Sequence, residues 1–102
     1  MSPQPKESPQ PKFGACPLCA RQTHLTFHHF IPRKVHRRAH FKKHYNKAQL
    51  NQGVEVCREC HRGIHQFYDE MHLAKNLPEL DLLQKDEALS AHFAWVARQR
   101  VR

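Results

Sequence analysis

Two pairs of cysteines constrain the fold of this chain more than any other feature. They read CPLC (16–19) and CREC (57–60), and they account for all of the chain's cysteines. A two-residue spacing on both sides suits tetrahedral binding of zinc by four thiolates. Disulfides are the alternative, but no secretory signal segment precedes the cysteines, so we expect a cytoplasmic protein in which zinc is favoured. The pattern predicts a structural Zn²⁺ bound by Cys16, Cys19, Cys57 and Cys60.

The length of the chain limits what can surround this site. A sequence of 102 residues has room for one domain. Such a small domain buries a modest core and often needs a metal or disulfides. Residues 1–12 contain S-P-Q-P-K twice, which predicts a disordered proline-rich tail. We expect the zinc-binding domain at 13–77 and a helical extension at 78–102 that packs on its core.

Two adjacent histidines lie between the cysteine pairs. His28 and His29 belong to the run THLTFHHF (23–30), whose β-branched and aromatic residues predict a strand. Neighbouring residues of a strand point to opposite faces, so one imidazole can bind a metal while the other faces a substrate. A second strand before Cys57 would pair with the first as a hairpin. A helix from Cys60 to about Lys75 would then place His61 and His65 on one face.

Positive charge is concentrated in one part of the chain. The formal net charge is +8, and no acidic residue occurs between Glu7 and Glu55. A one-sided basic segment is typical of proteins that bind polyanions, although a solvated basic loop has the same composition. The candidate contacts to nucleic-acid phosphates are Arg33, Lys34, Arg37, Arg38, Lys42 and Lys43.

The order of these motifs resembles the HNH endonuclease family, which has a ββα-metal fold. The resemblance covers Cys16 to His65, and it consists of C-x-x-C, His-His-x-Ile-Pro, an asparagine, and C-x-x-C-His-x-x-Ile-His. It implies the α+β class, with a small zinc-stapled core of a β-hairpin plus a helix. Additional C-terminal helices would follow this core.

The resemblance also implies a role for each matching residue. His29 matches the general base that activates water, and a catalytic divalent ion would be bound by His28, His61 and His65. Asn51 matches the residue that braces the loop carrying the base. The family's asparagine usually lies one position later, where this chain has Gln52, so either residue is a candidate.

The chemistry of these side chains supports the same interpretation. A neutral imidazole with a pKa near ~6.5 suits a general base at physiological pH. Imidazole ligands accept Mn²⁺, Ni²⁺ or Zn²⁺ more readily than Mg²⁺. We therefore expect a metal-dependent endonuclease that nicks or cuts duplex DNA. The alternatives are a non-catalytic zinc module that binds nucleic acid and a purely structural zinc protein.

The expected partners follow from the same features. DNA, or RNA, would bind the basic segment. No apolar run is long enough to cross a bilayer, so we expect no membrane partner. The sequence leaves a monomer and a homodimer open.

Overall fold

Three antiparallel strands form the sheet of the computed structural model, which describes residues 12–101. In chain order they are β1 (Lys12–Ala15), β2 (Gln22–His29) and β3 (Gly53–Cys57). The pairing of β2 with β3 confirms the predicted hairpin, with His29 opposite Gly53. Strand β1 was not predicted, and it includes Lys12, which the sequence had assigned to the tail. The rest of that predicted tail lies outside the described residues.

Short helices make up most of the remainder and confirm the α+β class. The basic segment between β2 and β3 forms a 3₁₀ turn (Arg33–Val35) and the helices α1 (Ala39–His44) and α2 (Lys47–Leu50). After β3 come α3 (Arg58–Phe67), α4 (Glu70–Asn76), α5 (Leu80–Lys85) and α6 (Glu87–Ala97). In residues 12–101 no helix has the length and apolar character needed to span a bilayer.

The single helix predicted from Cys60 to about Lys75 is wrong, because α3 and α4 are separate. Between them, Tyr68 has extended backbone angles and its hydroxyl donates to a carboxylate oxygen of Asp86 at 2.8 Å. Asp69 then accepts a hydrogen bond from the backbone N–H of His72 at 2.9 Å. Aspartate at this position is a favourable N-cap, so a new helix begins there.

One apolar cluster joins the sheet to α3, α4, α5 and α6, with Leu73 as the member from α4. It contains the four cysteines and the buried residues Val56, Ile64, Leu83, Leu89, Phe93 and Val96. The C-terminal helices therefore pack on the same core as the cysteines. A smaller cluster of Ile31, Val35, Phe41 and Ala74 holds the basic segment against α4. Leu25 of β2, the strand that carries the paired histidines, packs against the first of these clusters.

A glycine is required where β3 passes the paired histidines. A Cβ atom at Gly53 would collide with the carbonyl oxygen of His28 and with the ring of Phe27. The close approach of the two strands therefore depends on the absence of a side chain at Gly53.

The turn of the first cysteine pair contains a strained residue. Ala20 has φ 71°, and its N–H donates to the carbonyl of Cys16 at 2.7 Å. The left-handed region is costly for residues with a Cβ atom. Ala20→Gly should raise the free energy of unfolding by about 0.5–1 kcal/mol, since the flexibility of glycine in the unfolded chain offsets part of the gain.

The matched control for this substitution is Ala91→Gly, inside α6 and exposed. It should lower the free energy of unfolding by about 1 kcal/mol. Urea unfolding of the zinc-loaded proteins measures both changes. Equal destabilisation by the two substitutions would show that Ala20 is not strained.

Candidate metal centres

Four cysteine thiols, from the β1–β2 turn and from the junction of β3 with α3, converge at one point. All four side chains are buried, none forms a disulfide, and their sulfur atoms lie within 4.8 Å of one another. The sulfur atoms of Cys19 and Cys57 are 3.7 Å apart. Tetrahedral zinc with Zn–S bonds of about 2.3 Å requires sulfur atoms about 3.8 Å apart. The four cysteines could therefore hold a structural metal such as zinc, as the sequence predicted.

The ends of secondary-structure elements position these thiols. Cys16 and Cys19 lie in the turn between β1 and β2, and Cys57 is both the last residue of β3 and the N-cap of α3. The sulfur of Cys57 accepts the backbone N–H of Cys60 at 3.4 Å. The sulfur of Cys16 accepts the N–H groups of Leu18 and Cys57 at 3.4 and 3.3 Å. Such donors stabilise thiolates, the form that binds a metal.

A buried arginine contacts this centre, in a role that no sequence pattern indicated. The Arg21 guanidinium donates to the sulfur of Cys57 at 3.5 Å and to a carboxylate oxygen of Glu59 at 2.8 Å. Hydrogen bonds from the thiols of Cys16 and Cys60, and then from Arg21, lower the pKa of Cys57. Arg21 therefore favours the thiolate and links the centre to the first turn of α3.

Removing one thiol tests the structural role of the centre. Cys57→Ser should lose tight zinc binding and lower the free energy of unfolding by on the order of 4 kcal/mol or more, because metal-binding energy contributes to folding here. Zinc content by mass spectrometry and thermal unfolding by circular dichroism measure the two effects. A variant that keeps full zinc content and its melting temperature would contradict a four-thiolate site.

Three histidines, one from β2 and two from α3, form a second convergent group. His28 lies in β2, while His61 and His65 lie one helical turn apart in α3. One ring nitrogen from each residue lies within 4.8 Å of the others. The ring centroids are 5.2 Å apart for His28 and His61 and 5.0 Å apart for His61 and His65. The structure thus brings together the three histidines that the sequence proposed as ligands of a second metal.

The buried histidine of this group lacks hydrogen-bond partners. His28 is fully buried, and neither of its ring nitrogens bonds to another group in residues 12–101. An unpaired buried polar group costs about 1–3 kcal/mol. Burial, and then the nearby rings of His61 and His65, lowers the pKa of His28 to about 3. A neutral imidazole with a free lone pair, facing two more imidazoles, fits the ligand set of a divalent cation.

A hydroxyl group orients the second histidine. The Nδ1 atom of His61 lies 2.8 Å from the hydroxyl oxygen of Thr26, which is also 3.3 Å from the carbonyl oxygen of Val56. The carbonyl can only accept, so the hydroxyl donates to it and accepts from Nδ1–H of His61. This assigns the proton to Nδ1 and leaves the lone pair on Nε2 for a metal. Sequence reasoning did not identify Thr26.

Loss of this hydroxyl should weaken metal binding without unfolding the protein. Thr26→Val keeps the shape but removes the acceptor, so we expect affinity at the histidine group to fall by about 10–100-fold. Isothermal titration of Mn²⁺ or Ni²⁺ into protein with a filled cysteine centre measures the change. Thr23→Val, on the same strand, is the control and should bind as the parent does. Equal affinity of both variants would exclude an orienting role for Thr26.

His29 lies beside this group in a shallow depression. The depression, about 210 Å³ in volume, is lined by His29, Arg33, His61 and His65 together with Phe27 and Pro32. Burial, and then the charges of His36 and Arg33, lowers the pKa of His29. The ring is therefore neutral at neutral pH and can accept a proton. The residue proposed as the general base thus shares one surface with two of the proposed metal ligands.

The segment that carries His29 is braced by a backbone contact. The N–H of Phe30 donates to the carbonyl of Gln52 at 3.0 Å. The side-chain amide of Asn51, which follows α2, instead donates to the carbonyl of Lys47, the first residue of that helix, at 3.0 Å. This geometry gives the Asn51 side chain a local role at its own helix, and its bracing of the base loop stays a prediction.

The predicted phosphate-binding residues are distributed unevenly. Arg33 lines the depression of His29, and Lys34 forms an ion pair with Glu70 at 3.8 Å. The others are exposed further along the basic segment, at Arg37, Arg38, Lys42 and Lys43. Sequence reasoning missed Arg58 and Arg62, which line a second depression with His61 and His65. Their four-residue spacing on α3 could have indicated that they lie beside these histidines.

The chain has no match among protein-family models, curated proteins or solved structures. Its architecture is a small α+β fold with a three-stranded antiparallel sheet, several helices and a possible four-cysteine metal site. Any assignment of activity therefore depends on the residues themselves.

Proposed function

We propose that this protein is a metal-dependent DNA endonuclease of the HNH type. The observation that carries this proposal is the position of His29 in the same depression as His61 and His65. These two rings, with the fully buried His28, form a group that could hold a metal ion. A water-activating base beside a cation is the requirement for hydrolysing a phosphodiester at neutral pH.

The protein's own groups would act as follows. A ring nitrogen of His29 accepts a proton from the attacking water, whose oxygen forms a bond to phosphorus. The bond from phosphorus to the leaving 3′-oxygen breaks, and that oxygen takes a proton from solvent. When bound by the three histidines, a divalent cation supplies positive charge to the phosphate oxygens. The candidate cations in this proposal are Mg²⁺, Mn²⁺, Ni²⁺ and Zn²⁺.

Among the residues of the basic segment, Arg33 is best placed to bind the phosphate. It is exposed and lines the depression of His29, and guanidinium groups bind phosphate oxygens through paired hydrogen bonds. The net charge of +8 adds general attraction to a polyanion. Affinity should therefore fall steeply as salt rises.

A non-catalytic zinc module that binds nucleic acid is the second candidate. The four-cysteine centre and the basic segment are compatible with it. Such a module needs neither the convergent histidines nor the neutral His29 beside them. Cleavage therefore separates the two candidates.

Substitution of the proposed base gives the decisive test. His29→Ala should leave folding and DNA binding intact while lowering the cleavage rate by at least about 100-fold. The substrates are supercoiled plasmid and circular single-stranded DNA, with each of the four metal ions added in turn to zinc-loaded protein. Gel electrophoresis measures conversion to open-circular or linear products.

The matched control is His44→Ala, an exposed histidine of α1, which should cleave as the parent does. Metal-dependent cleavage that is lost only in His29→Ala would support the nuclease and its base. Salt-sensitive DNA retention without cleavage by any metal would favour the binding module. Unfolding of His29→Ala would instead assign His29 a structural role.

A further inference from the structure

Three shallow depressions follow one another along β2 and α3. The first contains Arg33, His29, His61 and His65. The second, about 220 Å³ in volume, shares His61 and His65 with the first and adds Thr26, Arg58 and Arg62. The third, about 260 Å³, shares Thr26 and Arg58 with the second and extends to His24 and Val101. Because each depression shares residues with the next, they form one groove with His61 and His65 at an internal position.

Along this groove, positively charged side chains lie on both sides of the histidine group. Arg33 lies on one side, and Arg58 and Arg62 lie on the other. All three are exposed, and none forms an ion pair with another residue of the described chain. The carboxylate of Glu59 also lines the third depression, but it is paired with Arg21 at 2.8 Å. The groove is therefore complementary to a row of phosphates.

An exposed phenylalanine lies at each end of the groove. Phe27 lines the first depression and is 45% exposed. At the other end, the ring of Phe13 packs edge-on against His24 with centroids 5.1 Å apart and is 64% exposed. Basic grooves bordered by aromatic rings are typical of surfaces that bind single strands, because an unpaired base can stack on a ring.

We propose that this groove binds a single strand of DNA, with Arg58 and Arg62 holding phosphates on one side of the cleavage position and Arg33 on the other. The inference rests on the proposed nuclease function and narrows its substrate to DNA with an unpaired strand. Arg58 and Arg62 are positioning residues that bind the backbone away from the reacting phosphate. Phe13 stacks on a base at the far end of the strand.

Binding to a labelled oligothymidylate of about 20 nucleotides tests the groove. Fluorescence anisotropy is measured over a range of salt with the full zinc-loaded chain carrying His29→Ala, which prevents cleavage. In this background Arg58→Gln with Arg62→Gln should lower affinity at least about tenfold and reduce the salt slope by about 1.4, or about 0.7 per lost phosphate contact. Arg58→Lys with Arg62→Lys should restore most of the salt dependence of the affinity. A merely structural role of the two arginines would not predict this recovery.

Two further variants provide the controls. Lys75→Gln with Lys85→Gln removes the same charge from exposed positions in α4 and α5 and should change affinity by less than about twofold. Phe13→Ala should lower affinity for the single strand by about 5–100-fold without affecting a duplex of the same length. Circular dichroism of each variant checks that the fold is retained.

The outcomes separate this inference from the proposed function. If the arginine variant binds as its parent does, or both charge variants lose affinity equally, the groove is excluded even when the native chain cleaves DNA. Tighter binding of duplex than of single strand also overturns it. If arginine-dependent binding occurs but the native chain cleaves no DNA with any metal, single-strand binding by the groove is supported and the proposed nuclease activity is overturned. Absence of oligothymidylate binding by the parent also overturns the groove, and the plasmid cleavage assay then decides the nuclease by itself.

Discussion

The fold depends on one junction, where Cys57 ends β3 and caps α3 while its thiol belongs to the four-cysteine centre. This residue fixes the direction in which α3 leaves the sheet. Because His61 and His65 occupy the next turns of that helix, the same junction brings them to His28 on β2. A domain with helices this short gains limited stability from each of them. A metal at the junction would therefore stabilise the fold and the histidine group together.

The histidine group depends on contacts beyond its three members. Burial of His28 leaves both ring nitrogens unpaired, while the Thr26 hydroxyl fixes the tautomer of His61. Gly53 allows β3 to pass close to His28. These features keep neutral imidazoles facing one another, which is costly for the protein alone but favourable around a cation. Stability and metal affinity are thus coupled at this group.

Most of the basic residues that are conspicuous in the sequence are not those that lie beside the histidines. The segment without acidic residues is conspicuous in the sequence, yet among its cations it is Arg33 that lines the depression of His29. Arg58 and Arg62 are less conspicuous because Glu59 lies between them in the chain. In the folded protein the Glu59 carboxylate forms an ion pair with Arg21, so Arg58 and Arg62 remain exposed and unpaired by Glu59 beside the histidines. This pairing gives the groove its positive character.

Local sequence patterns predicted the α+β class, the hairpin of β2 and β3, and the groups formed by the cysteines and histidines. Those features follow from local rules: two-residue ligand spacing, strand composition and the helical repeat that aligns His61 with His65. The other features are visible only in the folded protein. The pairing of β1, the break before Asp69, and the partners of Arg21 and Thr26 depend on residues distant in the chain. Arg21 and Glu59, for example, are 38 positions apart, and no local pattern encodes a contact that exists only after the chain has folded.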